Sequence, residues 1–194
     1  MRISMLCKLA FPVLAVASML SASPSRANLA ASAQVTATQL GGGEYQYDIT
    51  LNDTGTTNVG TFWFSWVPGL DFMSVSPTSI LSPTGWVDAI THGGATDGYA
   101  IQWIDDGAAL SAGNSLAGFQ FDSTLTPAQL AAASPINSAF PTTTSFVYIG
   151  KPFADPGSQF VASVTPTATP EPGTLAIAAL GLGLLAIFRR STIS

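Results

Sequence analysis

The most constraining feature of the chain is a period of two. In Glu44-Tyr45-Gln46-Tyr47-Asp48-Ile49-Thr50-Leu51, the apolar residues Tyr45, Tyr47, Ile49 and Leu51 fall on one face and the polar residues on the other. Only a strand with one buried and one wet side satisfies that pattern. Asn52 to Gly60 is a turn or short loop. Thr61-Phe62-Trp63-Phe64-Ser65-Trp66-Val67 then reads as a central strand, apolar on both faces and closed by Pro68-Gly69. Further strands are expected at Ala33 to Leu40, Trp86 to Thr91, Tyr99 to Ile104, Leu116 to Asp122, Ser145 to Gly150 and Phe160 to Val164. Pro77, Pro83, Gly93-Gly94, Asp106-Gly107 and Gly113-Asn114 punctuate them. Many short strands without βαβ alternation indicate a mainly β fold, an antiparallel Ig-like or jelly-roll-type β-sandwich. One short helix is expected where Thr126 caps a segment with Pro127 at its first position, ending before Pro135.

The two ends of the chain are different in kind. Arg2 and Lys8 precede an uncharged run from Leu9 to Leu20, and Ser21-Ala22-Ser23-Pro24-Ser25-Arg26-Ala27 follows. This is the three-part pattern of a secretory signal peptide over residues 1–27. Ser25 and Ala27 supply the small side chains that signal peptidase requires, so the mature chain is expected to start at Asn28 after Sec-dependent export. Cys7, the single cysteine, leaves with that segment. The sandwich domain is then expected over 28–162, with a Thr/Pro linker at 163–169.

At the other end, Pro170-Glu171-Pro172-Gly173 precedes an uncharged apolar run from Thr174 to Phe188, and Arg189-Arg190 follow at once. Fifteen helical residues span about 22 Å, against a hydrocarbon core of about 30 Å. The run is short for a durable transmembrane helix. The arginines hold the cytoplasmic flank and so orient the domain outward. In sum, residues 170–194 resemble the PEP-CTERM sorting signal. That resemblance implies recognition at Pro170, Glu171 and Pro172 by an exosortase, a membrane-embedded transpeptidase of Gram-negative bacteria that make exopolysaccharide. It also implies removal of the tail near that element. The expected route is export across the inner membrane, transient anchoring, then release to the cell surface or the extracellular matrix of a biofilm. A plain single-span anchor is the alternative. The order Tyr47 to Asn52, Thr61 to Pro68 and Leu116 to Asp122 also resembles the domain that commonly precedes such tails, which brings no activity with it.

Between Asn28 and Pro170, ten carboxylates stand against Lys151 alone, a net charge of -9. Such a surface repels phosphate backbones, which excludes nucleic acid as a partner. Candidates for chemistry are sparse. His92, the single imidazole, lies in the loop Thr91-His92-Gly93-Gly94 without a nucleophile elbow, so a solvated loop residue is expected. Asp105-Asp106-Gly107 pairs two carboxylates, but strand neighbours face opposite sides and Asp-Gly signals a turn. No catalytic residue and no enzyme activity are therefore expected. No motif implies a cofactor or metal. Asn52-Asp53-Thr54-Gly55 leaves a structural Ca²⁺ as an open alternative, without the spacing of an EF-hand. Trp63, Trp66, Trp86 and Trp103 either fill the core or stack on sugar rings. Alternation places Phe62, Phe64 and Trp66 on one side of their strand and Trp63 with Val67 on the other. Trp63 and Trp86 are the least committed to the core, and a carbohydrate-binding sandwich is the alternative function.

Overall fold

A computed structural model describes residues 27–153 and 156–166. Residues 1–26 of the expected signal peptide, Ser25 included, and the apolar tail with its Pro-Glu-Pro element and arginines lie outside the described residues. The described strands are β1 (Ala31–Gly41), β2 (Glu44–Asp53), β3 (Thr61–Phe64), β4 (Trp66–Val67), β5 (Leu70–Asp71), β6 (Ser79–Leu81), β7 (Trp86–Thr91), β8 (Ala100–Asp105) and β9 (Ser115–Ser123). After the helix α1 (Pro127–Ala131) come β10 (Thr144–Tyr148), β11 (Ser158–Val161) and β12 (Ser163–Pro166). They form two five-stranded sheets, ordered β12-β1-β2-β9-β6 and β11-β10-β3-β8-β7, with β4-β5 as a separate hairpin.

The alternation in β2 does what its period requires. Tyr47, Ile49 and Leu51 are buried, and Asp48 between them is exposed. A two-residue Gly42-Gly43 turn, both residues at positive φ, joins β1 to β2, the conformation that right-twisted hairpins favour. The register of β2 on β9 shifts at Ile49/Thr50, and Gly118 (φ 100°) is the extra residue of that bulge. One core lies between the sheets. Val35, Tyr47, Ile49, Phe119 and Phe121 from the first sheet meet Phe62, Phe64, Ile101, Trp103 and Val147 from the second. Phe62 stacks on Trp103 at 5.3 Å and meets Phe119 edge-on at 5.4 Å. Tyr47 stacks on Phe121 at 4.8 Å, and its hydroxyl donates to the Leu125 carbonyl.

The helix forms as the Thr126-Pro127 signal predicts. Thr126 Oγ1 accepts from Gln129 N, and the Gln129 side chain accepts in return from the Thr126 N–H, a full capping box. Only Leu130 of the helix is buried.

Two expectations need correction, and one strand goes unforeseen. Ser163–Pro166 is a strand rather than linker, and it pairs with β1 in parallel, Gln34 opposite Ser163 and Ala37 opposite Pro166. The Thr-rich stretch hides it, because β-branched residues next to prolines suit an edge strand as well as a stalk. Next, Thr61–Val67 is not one strand. Ser65 sits at φ 63° and interrupts it. That left-handed residue breaks the alternation and turns Trp66 to the side of Trp63, away from Phe62 and Phe64. Lastly, β6 escapes the sequence reading, being three residues between Pro77 and Pro83.

Candidate functional site

The turn at Ser65 builds a second aromatic cluster on the outer face of the β3-containing sheet. Trp63, Trp66 and Tyr148 are buried there, with Phe146 packed against them, separate from the core between the sheets. Trp63 and Trp66 stack at 4.1 Å, and Phe146 meets Trp66 edge-on at 5.6 Å. A solvent-side sheet face carrying four aromatic rings is unusual, since such faces are ordinarily polar. Loops partly cover it and leave a cleft of about 340 Å³.

One wall of the cleft is aromatic. Phe153 stands at its rim, 69% exposed, with its ring 5.8 Å from that of Trp66. Its φ of 65° is a conformation a bulky residue rarely adopts, and its ring also lies 5.8 Å from that of Tyr148. The opposite wall is polar and comes from Asp71, Thr91, His92, Gly93 and Asp97. Two loops 26 residues apart meet there. The backbones of Met73 and Tyr99 bridge through hydrogen bonds of 2.9 and 2.8 Å. Asp97 Oδ1 accepts from the N–H of Asp71 (2.9 Å) and of Gly98 (3.0 Å). Asp71 Oδ2 accepts from Gly93 N (3.1 Å), and its Oδ1 lies 3.4 Å from the Thr91 hydroxyl. Asp71 is 3% exposed, and its pKa is pushed up to about 6 by burial first and by the neighbouring Asp97 second.

His92 is the exposed loop residue that its sequence context suggests, yet its ring is held. Nδ1 faces the Gly98 carbonyl at 2.7 Å and the imidazole stacks on Tyr99 at 4.5 Å. A carbonyl can only accept, so Nδ1 carries the proton, and in the neutral ring Nε2 is an acceptor. A second concavity of about 310 Å³ shares Gly69, Leu70, Gly93 and Asp97 with the first and continues past Thr96 to Asn137.

The residues singled out in the sequence are not brought together. Trp86 is 5% exposed, its ring edge-on to Phe119 in the core and its Nε1–H donating to the Ala108 carbonyl. It does not present an open ring to a sugar. Trp63 is 6% exposed with one face covered by Trp66, so it lines the cleft as floor rather than as a free-standing platform. Asp105-Asp106-Gly107 is the expected turn. Asp105 accepts from Ala108 N, and Gly107 has a φ of 97°. Asp53 folds back on its own loop, Oδ1 accepting from Gly55 N at 2.8 Å, while burial raises its pKa. Among the described residues no group of three or more His, Cys, Asp and Glu side chains could hold a metal ion. Asp71, Asp97 and Phe153 are the residues that sequence reasoning missed.

A family model of the PEP-CTERM protein-sorting motif matches residues 168–191, two residues past the last strand. That stretch contains Pro170-Glu171-Pro172, the apolar run and Arg189-Arg190. It supports an exported protein that is targeted to an exosortase and anchored in the membrane before processing. No curated protein matches the sequence. Two structures of a GH20 exo-β-N-acetylglucosaminidase from Vibrio harveyi, one in complex with N-acetylglucosamine and one an inactive mutant, are similar at TM-scores of 0.41 and 0.40. Identity is 10% and 11%, and the similarity covers 73% of this chain but 19% of theirs. At those scores the likeness says nothing about ligand or activity.

Proposed function

We propose that this chain, which carries the PEP-CTERM sorting motif, is a non-enzymatic surface or matrix protein delivered by a signal peptide and released from its tail by an exosortase. The observation that carries this reading is the motif at 168–191, set directly behind a folded sandwich whose last strand ends at Pro166. Thr174 to Phe188 would insert as a transmembrane helix and Arg189-Arg190 would stop and orient it. The test is the intact mass of protein recovered from cells and medium of a normal host and of one lacking its exosortase. The expected result is a chain beginning at Asn28 and lacking Arg189-Arg190 in the normal host alone. Retention of both arginines in both hosts would mean a plain anchor.

The cleft favours a second layer to this reading, in which the domain holds a saccharide of the exopolysaccharide matrix. An exposed aromatic ring opposite a wall of hydrogen-bonding groups suits a sugar, which has apolar C–H faces and a polar rim. Two adjoining concavities of about 340 and 310 Å³ offer room for more than one residue of an oligosaccharide. Replacement of Phe153 by Ala should release the protein from immobilised host polysaccharide while leaving the melting temperature unchanged. Undiminished retention of that variant would remove the cleft from the account.

A further inference from the structure

The polar wall of the cleft has a chemical bias. Half-buried Asp97 uses Oδ1 on the backbone N–H groups of Asp71 and Gly98 and presents its second oxygen, and Asp71, buried with its oxygens on Thr91 and Gly93, adds negative charge behind it. No Lys or Arg of the described residues lines the cleft, and Lys151 is the sole Lys or Arg between Asn28 and Pro170. The wall thus asks for a donor and repels an anion. An independent observation comes from the floor. Trp63 is 6% exposed, and among the described residues its Nε1–H has no hydrogen-bond partner. A buried donor without an acceptor costs on the order of 1–3 kcal/mol, which an oxygen brought to this N–H by a ligand would recover. Beside it, Phe153 offers a ring face to C–H groups or to a cation.

We infer that the cleft takes a saccharide bearing a free ammonium group, a deacetylated amino sugar, with the ammonium against Asp97, the buried Asp71 charge behind it, and the ring against Phe153. This rests on the saccharide reading above and names the class of sugar. An ammonium has three donors for a wall of acceptors, and it relieves the repulsion between two carboxylates that meet in the cleft. The sugar's hydroxyl oxygens are acceptors for Trp63 Nε1–H. A uronic acid carries the wrong charge, and an N-acetyl group replaces the cation by a bulkier neutral amide with one N–H.

The experiment titrates the exported full chain with three probes, following tryptophan fluorescence and heat. These are the glucosamine tetramer, the N-acetylglucosamine tetramer and choline. The expected result is at least a tenfold preference for the free-amine tetramer at pH 7. That preference should shrink to within twofold in D97N and in D71N, whereas F153A should weaken both tetramers alike. Phe153 is exposed, so F153A keeps the test valid should either acidic variant misfold. Equal or tighter binding of the N-acetylated tetramer by the wild type would overturn the ammonium assignment and leave the saccharide reading standing. Choline binding as tightly as the tetramer would overturn the sugar assignment. Absence of binding by all three at millimolar concentration would overturn both.

Discussion

Replacing Asp71 by Asn removes a buried carboxylate whose charge is disfavoured by burial and by Asp97. Its pKa rises from 3.8 unfolded to about 6 folded. The native state therefore holds the proton more tightly than the unfolded chain, and the stability that this group contributes is lost as pH climbs through that interval. Two pKa units correspond to about 3 kcal/mol, and solvent at the cleft mouth reduces that to about 2 kcal/mol. The backbone N–H of Gly93, the hydroxyl of Thr91 and the His92 ring face the same carboxylate and oppose the shift. Asn keeps one oxygen for Gly93 and cannot ionise. Urea unfolding of wild type and D71N should be followed by tryptophan fluorescence at half-unit steps from pH 4 to pH 8. The difference between them should move by about 2 kcal/mol in favour of the variant between pH 4 and pH 7, then stay level. A flat difference across the whole range would refute the reasoning, since Asp71 would then be an ordinary solvated carboxylate.

Other substitutions probe the parts that hold the cleft and the core. A Cβ at Gly98 would lie 2.5 Å from the Asp71 carbonyl oxygen and 2.7 Å from that of Met73. Gly98→Ala should therefore split the Met73–Tyr99 bridge and cost about 2 kcal/mol or more in chemical denaturation. Phe121 is fully buried against Tyr47 and Phe64, so Phe121→Ala should cost about 3–5 kcal/mol by the same assay. Thr126→Ala should remove the capping box and lower stability by about 1 kcal/mol. All four tryptophans are at most 6% exposed, so native emission should be blue-shifted and weakly quenched by acrylamide. Strong quenching would mean that the outer cluster is open.

How far the sequence reveals the fold depends on how local each determinant is. Strict alternation marks β2, and a bounded run marks Trp86–Thr91, where expected and observed strands coincide. Thr126-Pro127 marks the helix start because capping is decided within four residues. The two-sheet sandwich follows from these patterns. The parallel pairing of β12 does not, because the chain can choose it only once β1 is in place. The cleft is less legible still. Its floor depends on one left-handed serine between aromatic residues, and no alternation rule anticipates a reversal at Ser65. Its acidic wall depends on Asp71 and Asp97 meeting through a bridge between separate loops, and Phe153 is conspicuous only through its exposure and backbone angle. The sorting tail is the opposite case, a linear signal that is complete without a fold.

The measurement that tests the central claim most directly is a crystal structure of the exported protein grown with the glucosamine tetramer. The account predicts a sugar ring against Phe153, with its ammonium about 3 Å from a carboxylate oxygen of Asp97 and an oxygen within reach of Trp63 Nε1. A tetramer bound on another surface, or a cleft still empty at saturating sugar, would contradict it.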